Sequence, residues 1–331
     1  MKTQIRRREF TTLLGSAVIG WAGPSLAEPA DGSRRVGVLM GIGENDPEAL
    51  ARREALESGF KQLGWGDRIH LDYRWTAGDV ERTRLFAREI VELKPDVIVV
   101  HSTPAVKELR ALTSSVPMVF VLIADPIGSG FVASLNHPGG NLTGFMNVDA
   151  PMAGKWLELI KEVVPAIKRV ALIYNPRTSP YQSFLRSFGE SAPALQVKAI
   201  ATPVHDAAEI ESAITALGGE AGSALFVVPD VFVQVHRELI IKLAAQYRLP
   251  AVYPYRFFVT SGGLMSYGLD TITVFRQAAS YVDRILKGAL PADLPVQAPD
   301  TFRLVINLAA AKAIGLTISE SFLTRADEVI E

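Results

Sequence analysis

Short apolar runs in this chain end repeatedly in small, polar or aromatic residues, and these ends carry the chemistry that the sequence offers. Ser102-Thr103 precedes Pro104 and an amphipathic stretch, so two hydroxyls and the open N–H groups of a helix start stand where a carboxylate is held. Plain N-capping uses the same residues. Asp125-Pro126 and Pro229-Asp230 each put a carboxylate at a turn, where it accepts from an ammonium or closes an Asx-type turn. Asn175-Pro176 and Gly41-Ile42-Gly43-Glu44-Asn45 end two further runs, and Tyr253, Tyr255 and Tyr267 offer rings with hydroxyls at the rim of a site or as packing. Such a mixture suits a small-molecule site. The candidate ligand-binding residues are Gly43, Glu44, Ser102, Thr103, Asp125, Asn175, Asp230, Tyr253 and Tyr267.

The same inventory argues against catalysis. Gly41-Ile42-Gly43-Glu44-Asn45-Asp46 starts like a dinucleotide fingerprint, yet Asp46 stands where the third glycine belongs and would repel a pyrophosphate. His70, His101, His137, His205 and His236 have no ligand-like spacing, and of these only His101 falls at a strand end, as a cleft-wall residue. There is no Walker motif, no nucleophile elbow and no cysteine, so neither a catalytic residue, a metal site nor a cofactor is expected. With 34 basic against 35 acidic residues and no basic cluster, the chain carries no electrostatic footprint for nucleic acid.

These strand ends must be positioned by the elements that precede them. The 331 residues, 48% hydrophobic and 21% charged, suffice for about two domains. Apolar runs at 36–40, 69–75, 96–100 and 117–122 read as strands, and amphipathic stretches at 48–63, 80–93 and 105–112 read as helices. In the first of these helices Leu50, Ala51, Ala55, Phe60 and Leu63 are expected on the buried face. Continuous apolar strands alternating with helices imply parallel sheets covered on both faces. The order then repeats: Lys168-Arg169-Val170-Ala171 parallels Arg34-Arg35-Val36-Gly37, and 224–228 and 249–252 parallel 96–100 and 116–119. The expected architecture is α/β, two Rossmann-like lobes of one topology around a cleft.

The first 27 residues read as an export signal: Lys2, Arg6, Arg7 and Arg8, an apolar stretch of about 12 residues, then Ser25-Leu26-Ala27 before a cut after Ala27. Arg7-Arg8-Glu9-Phe10 resembles a twin-arginine signal, with ordinary export as the alternative. The apolar stretch is too short to span a bilayer, which needs about 20 residues. Removing its four basic residues and Glu9 leaves a mature chain with a net charge of −4, without direct membrane insertion and with a periplasmic location expected.

Longer motifs add a resemblance. Gly130-Phe131-Val132-Ala133-Ser134-Leu135, Pro138-Gly139-Gly140-Asn141-Leu142-Thr143-Gly144, Gly262-Gly263-Leu264-Met265-Ser266-Tyr267-Gly268, Tyr281-Val282-Asp283-Arg284 and Phe302-Arg303-Leu304-Val305-Ile306-Asn307 resemble the substrate-binding proteins of ABC transporters, the tryptophan/tyrosine type. The likeness runs over essentially the whole mature chain. It departs from the aromatic-amino-acid binders after the first strand, where Gly43-Glu44-Asn45-Asp46 replaces a His-Pro-type segment.

The resemblance implies a type I periplasmic-binding-protein fold, with three crossovers joining residues 34–147 plus 270–300 to 148–268 plus 301–331. Hinges are expected near 146–150, 267–271 and 299–303. It further implies hinge closure on a small organic ligand, amino-acid-like or aromatic, and delivery to a membrane permease powered by a separate ATPase. A ligand sensor acting on a receptor, or an exported α/β enzyme, is the alternative.

Overall fold

The computed structural model describes residues 32–178 and 181–331. The expected signal peptide and its cut after Ala27 lie outside the described residues.

The first lobe is a βα alternation: β1 (Arg34–Met40), α1 (Pro47–Gln62), β2 (Ile69–Trp75), α2 (Val80–Glu92), β3 (Val97–His101), α3 (Thr103–Leu112), β4 (Met118–Ile123) and β5 (Leu142–Met146). Every residue of β3 and β4 is buried, and both are Val/Ile-rich, as strands with helices on both faces must be. The five strands are parallel in the order β2-β1-β3-β4-β5. Asp46 starts α1 by accepting the Glu48 amide at 2.9 Å, and Pro47 fills the first turn, where its missing N–H costs nothing.

The second lobe follows: α4 (Met152–Val163), β6 (Arg169–Tyr174), α5 (Gln182–Ser191), β7 (Lys198–Pro203), α6 (Ala207–Gly218), β8 (Ser223–Val227), α7 (Val231–Val235), α8 (Arg237–Gln246), β9 (Ala251–Tyr253), α9 (Arg256–Thr260) and β10 (Met265–Gly268). Its sheet runs β7-β6-β8-β9-β10, the order of the first sheet translated strand for strand, which is the structural form of the sequence repeat. The chain then leaves as α10 (Thr271–Leu286), which packs on α1 and on β3, β4 and β5 of the first lobe. It returns through Gln297, which bridges to Phe145 of β5, and finishes as β11 (Arg303–Asn307), α11 (Leu308–Ala313), α12 (Glu320–Leu323) and β12 (Glu328–Ile330).

Two expectations need correction. The second sheet is not wholly parallel, because β11 re-enters from the other lobe and pairs antiparallel with β10, carrying β12 with it. On α1 the buried face is Ala49, Arg52, Ala55, Leu56, Gly59 and Phe60, while Leu50 and Leu63 are exposed. The helix is rotated from the apolar reading because a charged residue, Arg52, turns inward to buried partners.

Candidate functional site

The carboxyl ends of β3, β4 and β8 face one another across the lobes, and between them lies a narrow cavity of about 10 Å³. Its wall on the first lobe is His101, Ser102, Thr103, Pro104 and Leu122; on the second it is Thr178, Pro229, Asp230, Val231 and Gln234, with Asn147 on the crossover between them.

The β3 end is strained in order to aim α3 at the cavity. Ser102 has φ 95°, a left-handed value unusual for a residue with a Cβ, and its hydroxyl makes no capping bond to the helix it precedes. The helix's first backbone bond runs from the Val106 N–H to the Ser102 carbonyl, so the positive end of α3 opens onto the cavity beside the Ser102 hydroxyl. Leu122 at the end of β4 is likewise left-handed, with φ 60°.

Opposite stands Asp230. Its Oδ1 accepts the Phe232 amide at 2.6 Å, and its other oxygen accepts from the Thr178 hydroxyl and, at 3.4 Å, from that of Tyr181. Burial pushes its carboxyl up to about 6, against the pull of those three hydrogen bonds. An ammonium in the cavity would favour the ionised form.

Behind the cavity, charge is buried deeply. Gly41 N–H donates to His101 Nδ1 at 3.2 Å, and Arg52 Nη1 lies 3.3 Å from His101 Nε2. A neutral imidazole has one acceptor nitrogen, so with Nδ1 taken by Gly41 the Arg52 guanidinium is a close charge beside the ring and not a second donor to it. Burial first, and then the Arg52 charge, hold its pKa well below the usual histidine value, so the ring is a neutral wall. Arg52, wholly buried, pairs with Glu48 at 3.0 Å, donates to Gln234 Oε1 at 3.3 Å and lies against the rings of Phe257 and Phe275. Glu48 also accepts from Thr271, the first residue of α10. Arg237 donates to Asp46 at 2.5 Å, and this ion pair, unlike Arg52–Glu48 within α1, crosses between the lobes.

Of the sequence candidates, the structure brings Ser102, Thr103 and Asp230 together at the cavity. Asn175 lies beside them: its side-chain oxygen accepts the Arg177 amide, and its carbonyl, 3.0 Å from the Thr178 hydroxyl, competes with Asp230 for that hydroxyl's one proton. Asp125 stands apart from the cavity lining, closing a turn on the Gly128 amide at 2.8 Å and accepting from Ser183 of the other lobe at 3.3 Å. Gly43 accepts the Asp46 amide in the turn before α1, and Glu44 is exposed. Tyr253 stacks on Phe258, and Tyr267 stacks on Phe302 and gives its carbonyl to Trp156 Nε1; neither lines the cavity.

Asn147, Thr178, Gln234, Val231 and Arg52 were missed as site residues. Only Asn147 carried a signal, as a polar residue in a segment expected to cross between lobes. Among the described residues no group of three acidic, histidine or cysteine side chains is placed to hold a metal, and no helix is long and apolar enough to cross a membrane.

Comparison with known proteins bears on the fold and the family. A family model described as ABC transporter substrate binding protein matches residues 36–330. A tyrosine-binding protein of Clostridioides difficile is 27% identical over 267 residues, covering 80% of this chain and 75% of that one. A conserved domain protein from Vibrio cholerae has a crystal structure with a TM-score of 0.83 and 31% identity, over 90% of this chain and 99% of its own. The structure of the ABC domain in complex with L-Trp from Streptococcus pneumonia also gives a TM-score of 0.83, at 27% identity, over 90% of this chain and 100% of that one. With nearly every described residue inside the matched range, the chain belongs to the ABC transporter substrate-binding protein family.

Proposed function

We propose that this protein is the exported solute-binding component of an ABC importer, and that it captures an α-amino-acid-like zwitterion between its lobes and carries it to a membrane permease. The observation that carries the reading is the opposition of the α3 end, with Ser102 and Thr103, to the buried Asp230 across one closed cavity. The helix end supplies hydroxyl and N–H donors for a carboxylate. Asp230 supplies an acceptor for an ammonium. A ligand carrying both charges at short separation contacts both lobes, so it stabilises the closed arrangement over the open one and shifts the population toward it.

The names of two relatives, one tyrosine-binding and one solved with L-Trp, support an amino acid as the ligand class. The basic and apolar start of the chain supports export. Native mass spectrometry of protein purified from its own cells without unfolding tests the reading. A one-to-one adduct with the mass of an amino acid is expected, and a bound neutral sugar would contradict it.

A further inference from the structure

We infer that α7 and the first residue of α8 form a clasp that seats the second lobe on the first: Val231 and Val235 press into a socket made by two glycines, and Arg237 latches onto Asp46. The clasp rests on the two-lobe closure given above and on no particular ligand.

The socket stands at the ends of β1 and β2. The Gly78 N–H donates to the Gly41 carbonyl at 2.7 Å, so the two glycines lie side by side. A Cβ on Gly41 would lie 2.8 Å from Val231 Cγ2, and one on Gly78 would lie 3.2 Å from Val235 Cγ2. Val231 and Val235 are one helical turn apart on α7, so a single ridge meets both glycines. Gly78 has a left-handed φ of 75°, which asks for glycine in any case; Gly41 does not, so there the absent side chain serves only to admit the ridge.

The latch follows directly in the chain. Arg237 Nη1 donates to Asp46 Oδ2 at 2.5 Å and to the Gln234 carbonyl at 3.1 Å, and its guanidinium lies 5.7 Å from the centre of the Phe257 ring. The other oxygen of Asp46 caps α1 by accepting the Glu48 amide. Both side chains are mostly buried, 12% and 13% exposed, so water and salt screen the pair less than they screen a surface pair.

The clasp also has leverage. The crossovers leave from β5 and β10, whereas Gly78 follows β2, the edge strand farthest from β5 in the first sheet. A small hinge rotation therefore separates the socket from its ridge. Gly78, Val235, Arg237 and Asp46 do not line the cavity, so they are positioning residues that act through the lobes. Contacts made only when the lobes are closed raise the closed population before any ligand arrives.

The chain has no cysteine, so Leu85→Cys on α2 and Ala208→Cys on α6, both exposed, each take one spin label at the far edges of the lobes. Pulsed dipolar spectroscopy of the dialysed mature protein then reads the distance between them. Asp46→Asn keeps an oxygen to cap α1 and removes the charge, and Val235→Ala trims the ridge. Each should about double the share of long distances, with an unchanged far-UV spectrum. Sodium chloride at about 0.5 M should lengthen the distances in the unaltered protein and in Val235→Ala but not in Asp46→Asn. An equal salt response in Asp46→Asn would overturn the latch. Distances in both variants equal to those of the unaltered protein would overturn the clasp. In that event, shortening by an equimolar mixture of the common amino acids would leave ligand-driven closure standing, and no shortening would overturn that closure too.

Discussion

Asn147 donates its side-chain amide to the carbonyl oxygen of Pro229 at 3.0 Å, and so ties the first crossover to the strand end of the opposite lobe. The same amide lies 3.4 Å from the Leu122 carbonyl, while the Asn147 Oδ1 is buried without a partner. One side chain thus senses both lobes and offers an acceptor at the cavity where Asp230 offers a carboxylate.

Asn147→Ala should therefore weaken ligand binding about tenfold, the worth of one such hydrogen bond, with an unchanged far-UV spectrum. Small-angle scattering should show a more open average shape at equal ligand concentration. Affinity equal to that of the unaltered protein would count against a bridging role.

Arg52→Met should lower stability by about 3–5 kcal/mol, because Glu48 and Gln234 lose a buried partner together. Urea unfolding measures it. Paired with Gln234→Ala in a double-mutant cycle, the two substitutions should be non-additive by at least 0.5 kcal/mol, or about that, for residues in contact. Additive effects would mean that the contact contributes nothing.

The pH dependence turns on Asp230. Its folded value of about 6 lies above an unfolded value of about 3.9, so from pH 4 to 6 the folded state holds more protons than the unfolded one. In ligand-free protein this group therefore favours folding below about pH 4 and loses that contribution, up to about 3 kcal/mol, as pH rises through 6. Ligand affinity runs the opposite way and should fall as pH drops through about 6, since an ammonium needs the carboxylate. Asp230→Asn should bind weakly and lose this dependence, as calorimetry between pH 5 and pH 8 would report. A parallel pH profile in the variant would assign the effect to another group.

Gly41→Ala tests the closeness of the lobes. Its methyl would meet Val231 and Ser102 at under 3 Å in the closed arrangement, and it meets no strain of its own, since Gly41 does not adopt a positive φ. Binding should weaken severalfold, and Gly41→Ala combined with Val231→Ala should recover part of the loss. Normal affinity in the single variant would show that the wall yields.

The paired topology was legible because both lobes write the same βα order in apolar runs, and β1 and β6, like β3 and β8, announce themselves by continuous Val/Ile/Leu stretches. Ser102, Thr103 and Asp230 were legible as strand-end residues, and the fold gathers them at one cavity. The tyrosines were not: whether a strand-end ring faces a cleft or a core depends on side-chain direction, which Phe258 and Phe302 decide from elsewhere in the chain. Arg52 was hidden for a related reason. Its partners His101 and Gln234 lie 49 and 182 residues away, and no local pattern marks a charge that will be buried against them.

The central claim is that one cavity holds a carboxylate at the α3 end and an ammonium at Asp230. It is tested most directly by calorimetry of the tightest-binding amino acid beside its two truncated forms, the acid lacking the amine and the amine lacking the acid. Loss of at least 100-fold in affinity for each, with Asp230→Ala abolishing the preference for the amine-bearing forms, is the predicted result. Equal binding of either truncated form would contradict it.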